Sequence, residues 1–288
     1  MKRETTGFVT SPGSDRLQRR GATLWRRALF ATAGAGVAIG ALLVLRALGS
    51  IGLFNVAYAE SIVPPLLLVA RQTLLFSATV IPIGFVIGFV IGWARTTRNW
   101  FLRALGSTYV EFFRSMPPLV LIAFAALISF FVVRRFLTFL DPFEVGLSAG
   151  TLALALHSSA YQSEIVRAGI LSVSIGQNEA AEAVGLRKSQ IMFAITLPQA
   201  FRVSLPALGN EFASVIKDTS LLSAISALEL SFLGSSLVAS AIFLDFNLVF
   251  IVWTEIALIY FAITFFVTRI VRGVENRFKV PGLEAAQL

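Results

Sequence analysis

Cysteine is absent from the chain and histidine occurs once, at position 157. Lack of cysteine excludes disulfides, thiolate metal sites and a cysteine nucleophile. A single histidine excludes a His-rich metal centre or a two-histidine mechanism within this chain. Charge is also scarce. Asp, Glu, Lys and Arg make up 14% of the 288 residues, where soluble domains carry about a quarter. No stretch reads as the phosphate-cradling GxxxxGKS/T loop, and there is no GxSxG elbow or HExxH pair. The sequence therefore offers no catalytic set, no metal site and no nucleotide site of its own.

What the chain does have is apolar length. It is 56% hydrophobic with 26 Phe, and its long apolar runs predict an all-α membrane protein with about six transmembrane helices. These are expected near 28–47, 73–94, 117–133, 145–166, 206–228 and 248–271. Residues 1–27 read as a disordered cytoplasmic tail, 28–72 as an extra N-terminal span with an external segment and interfacial helix, and 276–288 as a second tail. Lys and Arg gather in the N-terminal tail, in 95–115, in the loop at about 167–204 and in the C-terminal tail. The positive-inside rule then puts both termini and that loop in the cytoplasm. Arg134 and Arg135 dissent, and are expected beside Asp141 and Glu144. Gly84, Gly88 and Gly92 form small-xxx-small steps that predict close helix packing.

One polar interruption stands out, Gly176 to Pro198, GQNEAAEAVGLRKSQIMFAITLP. Ser174 and Gln177 have capping-box spacing. Ala180, Ala181 and Ala183 favour helix, and Gly185 sits where a left-handed C-cap ends one. A second short helix is expected from about Lys188, stopped near Pro198. The product is a rigid helix–turn–helix bearing Glu179, Glu182, Arg187 and Lys188.

Ionisable groups also occur inside expected spans. His157, Tyr161 and Glu164 fall on one helical face. Asn210, Ser214 and Lys217 form a stripe, and Glu211, Ser214 and Asp218 a neighbouring one. A charge at mid-membrane costs about 2.5–3.5 kcal/mol, so such groups face protein or a water-filled cavity. Two readings stand: His157, Tyr161, Asn210, Glu211, Lys217 and Asp218 line a substrate path, or they pair across helices. Glu164, close to a span end, suits pairing or contact with water.

Glu179-Ala180-Ala181, three residues, Gly185, nine residues, then Ile195-x-Leu197-Pro198 resembles the EAA signature of the membrane subunits of ABC importers. Val110 to Pro117 resembles an E-x-x-R-x-x-P segment of amino-acid permeases, and Ala160 to Arg167 their AYxxEIxR segment. Leu197 to Arg202, Leu205 to Glu211 and Lys217 to Leu221 resemble LPQAxR, LPxLxNE and KDTSL. Over about residues 70–275 the chain is similar to permease subunits of type I ABC importers for polar amino acids, the histidine/glutamine/arginine/opine group.

The resemblance implies a five-helix permease domain at 73–275, paired with a second copy or a paralogue in a prokaryotic inner membrane and working by alternating access. ATPase subunits would dock on Glu179, Ala180, Ala181, Gly185, Ile195, Leu197 and Pro198, and an external binding protein would deliver the amino acid. ATP and Mg would be bound by the ATPase, leaving this chain without a cofactor and not itself an enzyme. Two departures stand beside it: the extra N-terminal span with its basic tail, and His157 where a small or amide residue is expected. The rival readings are an ion-coupled secondary transporter using Glu164, Glu211 or Asp218, and a structural subunit of a membrane complex.

Overall fold

The computed structural model describes residues 55–278. The N-terminal tail, the expected first span and the residues from 279 onward lie outside them. Among the described residues all regular structure is helical. Helix α1, Val56–Ala94, is 39 residues long. The separate interfacial helix expected before residue 73 is not separate: from Val56 the chain is continuous with the span, and Pro64, Pro65 and Pro82 lie inside it. Packing overrides the prolines. Ala59, Ile62, Leu66, Ala70, Thr73, Ser77, Val80, Gly84, Gly88 and Gly92 are buried at helical spacing along one unbroken stripe.

The basic stretch 95–115, expected as a loop, is largely helix α2, Trp100–Ser115, capped by the Asn99 side chain, which accepts from the Phe101 and Leu102 amides. Helix α3, Pro118–Phe136, follows directly. The break lies at Met116 and Pro117, both extended, the conformation that a following proline favours. Helix α4, Pro142–Leu171, returns alongside both. Tyr109 of α2 bonds Ser159 at 2.7 Å, and Ile122 of α3 packs at Gly150. The α2–α3 break thus falls beside the middle of α4. Asp141 caps α4 through the Phe143 and Glu144 amides, at 2.7 and 3.0 Å. Arg134 and Arg135, expected beside Asp141 and Glu144, close the last turn of α3 five residues from that cap, and no ion pair joins them to either carboxylate among the described residues.

The glycine steps pack as expected. A Cβ at Gly88 would lie 2.7 Å from the Ser159 carbonyl oxygen, and one at Gly92 2.6 Å from that of Ser163, so α1 meets α4 backbone to backbone. Helix α5, Ile175–Ala183, and helix α6, Lys188–Ile191, make a hairpin. A π turn, Met192–Thr196, leads into helix α7, Leu197–Asp218. A 3-10 turn, Thr219–Ile225, ends at Ser226, whose φ is +62°. Val80, Ile122, Leu154, Val215 and Leu222 form the core among α1, α3, α4, α7 and this turn.

The region 229–247, expected as an external loop, holds helix α8, Leu230–Ala241. Its N-cap, Glu229, is fully buried. It accepts from the Ser231 and Phe232 amides and from the Tyr260 hydroxyl, at 2.9, 2.7 and 2.8 Å. Helix α9, Asn247–Phe278, closes the fold. Among the described residues, four stretches are long and apolar enough to cross a membrane: Val56–Ala94, Pro118–Phe136, Lys188–Ile225 and Asn247–Arg277. Helix α4 has the length, and carries buried Ser158, Ser159, Gln162 and Ser163 instead of apolar side chains.

Candidate functional site

The break between α2 and α3 opens onto a cavity of about 490 Å³. One wall is the break itself, Arg114 to Pro118. His157 and Tyr161 of α4 form the second, and Glu211, Ser214 and Asp218 of α7 the third. His157 Nδ1 lies 2.9 Å from the Phe113 carbonyl oxygen. A carbonyl only accepts, so Nδ1 carries the proton, and in the neutral ring Nε2 is left as an acceptor. The His157 ring packs against Tyr161 at 5.2 Å, and the Arg114 guanidinium sits 5.2 Å from the Tyr161 ring centre, a cation–π contact that holds both.

Glu211 is anchored from α4. Ser158 Oγ donates to its Oε1 at 2.9 Å, and Gln162 Nε2 donates to Ser158 Oγ at 2.9 Å. The Ser158–Gln162 pair was legible as an i, i+4 polar step, which sequence reading passed over. A guanidinium, two carboxylates and an imidazole around one cavity can engage both charges of a small polar molecule at once.

Of the expected path residues, His157, Tyr161, Glu211 and Asp218 meet at this cavity. Asn210 and Lys217 do not line it. They are exposed on another face of α7. Glu164 is elsewhere: it accepts from Arg95 Nη1 at 2.6 Å and pairs with Arg167, while Arg95 Nε donates to Ser107 Oγ at 3.3 Å. That network ties the end of α1 to α2 and α4.

In the hairpin, Gly185 has φ +86°. The Leu186 amide reaches the Ala181 carbonyl at 3.1 Å and the Gly185 amide that of Glu182 at 2.9 Å, a Schellman ending as expected. The capping box is not formed. Ser174 makes no side-chain cap bond, and the Gln177 amide is drawn away to Gln199, whose Nε2 donates to it at 2.6 Å. Nor does Pro198 stop the helix. The π turn lets the Leu197 amide reach Met192, and Pro198 then falls in the first turn of α7, where its missing N–H costs little.

Glu179, Ala180, Gly185 and Pro198 are exposed, and Ile195 and Leu197 partly so. Ala181 is buried at 5% exposure, so it seats the hairpin on itself. Ile175 and Val184, at 73% and 78% exposure, supply apolar surface that sequence reading missed. Thr196 Oγ1 donates to Asn178 Oδ1 at 3.3 Å. With the Gln199–Gln177 bond, this fastens α5 to the start of α7.

Residues 81–280 match the family described as binding-protein-dependent transport system inner membrane component. The chain is 38% identical over 193 residues to the probable glutamine ABC transporter permease protein GlnM of Bacillus subtilis (strain 168), covering 67% of this chain and 83% of that protein. To the glutamine transport system permease protein GlnP of Escherichia coli (strain K12) it is 34% identical over 221 residues, covering 76% and 94%. To the nopaline transport system permease protein NocM of Agrobacterium fabrum (strain C58 / ATCC 33970) it is 38% identical over 210 residues, covering 72% and 85%. Among solved structures, that of an amino acid ABC transporter with histidines is similar at a TM-score of 0.64 and 30% identity, covering 76% of this chain and 96% of that one. The inward-facing MetNI methionine ABC transporter shares the fold at a TM-score of 0.61 and 19% identity, over 75% and 96%.

Proposed function

The chain belongs to the family of binding-protein-dependent transport system inner membrane components, among the ABC permeases for amino acids, and on that footing we propose that it carries a polar amino acid inward by ATP-driven alternating access. The observation that carries this reading is the mechanical link between hairpin and cavity. The exposed hairpin is bonded at Asn178 and Gln177 to Thr196 and Gln199. Helix α7, which starts there, brings Glu211, Ser214 and Asp218 to the cavity. Glu211 lies about 21 Å along α7 from Leu197, so a displacement at the hairpin moves a cavity wall as one lever.

The driving ATPase is a separate partner that binds ATP and Mg. It docks on the hairpin through Glu179, Ala180, Gly185 and the apolar Ile175 and Val184. Arg114 takes the substrate carboxylate, and Glu211 and Asp218 take its ammonium group. An external binding protein delivers the substrate.

Asn210 and Lys217, exposed on a membrane-crossing helix, support a second permease copy or paralogue across a watered path, since lipid contact would cost about 2.5–3.5 kcal/mol for the lysine alone. The distribution of Lys and Arg supports a multi-pass protein of the prokaryotic inner membrane with its N-terminus in the cytoplasm.

Gly185→Arg tests the docking surface. Nothing lies within 4 Å of a Cβ built there, so the substitution adds bulk without a clash. The left-handed backbone adds strain of about 1–2 kcal/mol, too little to unfold the protein. In proteoliposomes with the ATPase and binding protein, the variant is expected to insert normally and to lose uptake coupled to ATP hydrolysis. Normal coupled uptake would sink the docking assignment.

A further inference from the structure

Helix α9 carries a second pocket, of about 230 Å³, that shares no residue with the cavity above. It is formed by Phe261, Thr264, Phe265, Thr268, Arg269 and Arg272. The helix is long and apolar enough to cross a membrane. Arg269 lies about 33 Å along it from Asn247, and the hydrocarbon layer is about 30 Å thick. With Asn247 at one face of the bilayer, the two arginines sit at headgroup depth at the other, and Phe261, about 12 Å deeper, sits among acyl chains.

Three features of the pocket call for a ligand with an anionic head and an apolar tail. Arg269 and Arg272 are exposed and share a face. Neither forms an ion pair with another described residue, and the Arg269 guanidinium is laid over the Phe265 ring at 4.9 Å. The Thr264 hydroxyl is buried and has no hydrogen-bond partner. Thr254, on the same helix, bonds the Phe250 carbonyl at 2.8 Å, so the orphan is a feature of this position. A buried hydroxyl without a partner is costly in apolar surroundings. The floor is aromatic, with Phe261 67% exposed.

We infer that this pocket binds one anionic phospholipid. Arg269 and Arg272 take the phosphate, the Thr264 hydroxyl donates to an ester carbonyl, and an acyl chain lies over Phe261 and Phe265. A second copy of the chain fits less well. With the two-fold axis through the patch, the patch would face itself and set guanidinium against guanidinium. Free phosphate has no use for the aromatic floor. The site adjoins the crossing of α9 with α7, where Val271 fills the space beside Gly209. Occupancy therefore braces the helix that walls the cavity. The inference needs only that α9 crosses a membrane. It does not depend on ATP-driven transport.

The test is made on the full chain in detergent, without ATPase or binding protein. Phosphatidylglycerol, phosphatidylcholine and inorganic phosphate are titrated in turn, and bound lipid is counted by native mass spectrometry alongside the thermal midpoint. Phosphatidylglycerol is expected to bind one per chain and raise the midpoint, at least tenfold more tightly than phosphatidylcholine. Inorganic phosphate is expected neither to bind nor to compete. Arg269→Gln with Arg272→Gln is expected to abolish that preference, Thr264→Val to weaken binding several-fold, and Arg103→Gln, a basic residue elsewhere, to change nothing.

Equal binding of the two lipids in the unaltered chain would overturn the inference, and that comparison requires no variant to fold. Retained preference in the double variant, an equal loss in Arg103→Gln, competition by phosphate, or conversion of dimer to monomer by the double variant would each overturn it as well.

Discussion

Gly88 and Gly273 are both helical glycines, and helix propensity alone gives alanine an advantage of about 1 kcal/mol at either. Their surroundings separate them. A Cβ at Gly88 would stand 2.7 Å from the Ser159 carbonyl oxygen, 2.9 Å from Gln162 Cβ and 3.1 Å from the Ser163 amide nitrogen. It is about 0.7 Å short of ordinary contact with an atom that no side-chain rotation can move. Helix α1 must then withdraw from α4 along the whole glycine stripe. Overpacking of this kind costs about 1–3 kcal/mol. With two of the three contacts to backbone atoms the upper end applies, leaving a net loss of about 2 kcal/mol after the propensity gain.

At Gly273 nothing lies within 4 Å, so Gly273→Ala is expected to gain about 1 kcal/mol. The two alanine variants should therefore differ by about 3 kcal/mol. SDS titration of the purified protein, followed by tryptophan fluorescence, measures both. Trp93, on α1 and packed against the cluster that includes Val166 and Ile170 of α4, reports the relevant interface. If Gly88→Ala proves as stable as Gly273→Ala, close backbone contact between α1 and α4 is wrong.

Two further outcomes can be checked with the same preparation. Glu229→Ala removes the cap of α8 and the carboxylate that accepts from Tyr260, leaving that hydroxyl its contact with Ser231 Oγ at 3.2 Å. It is expected to cost about 2 kcal/mol in the same titration, and a loss below about 0.5 kcal/mol would contradict the cap. The absence of cysteine makes single-cysteine labelling clean. Asn210→Cys is expected to react with a water-soluble maleimide in membranes, and Leu258→Cys, apolar-faced on α9, to stay unreacted; equal reactivity would refute a watered face on α7.

The glycine stripe, the left-handed Gly185 and the polar stripes were legible because each rests on local spacing along a single helix. What sequence reading missed depends on partners distant in the chain. Pro64 and Pro65 lie in the stretch expected as an external segment with an interfacial helix, and the buried stripe of α1 carries one continuous helix through them. Pro198 read as a stop, because nothing local announces the π turn that accommodates it. Basic charge hid α2, whose place is fixed by contacts of Tyr109 and Phe113 with α4, over forty residues away. Glu229 fell in a stretch read as external, and its contact with Tyr260, thirty-one residues on, was not visible there. Of the stripes on α7, sequence gave no means of telling the one that meets His157 from the one that faces outward.

Helix α4 has a consequence for how the protein is made. It supplies His157 and Tyr161 to the cavity, and its buried Ser158, Ser159, Gln162 and Ser163 leave it short of the hydropathy that the four apolar stretches among the described residues reach. A translocon sorts segments by such partitioning as they emerge. Left to itself, α4 partitions poorly, while α3, joined to it by five residues, partitions well. The two are therefore expected to enter the bilayer as a hairpin, with α3 carrying α4 and the polar face of α4 packed away from lipid as it enters.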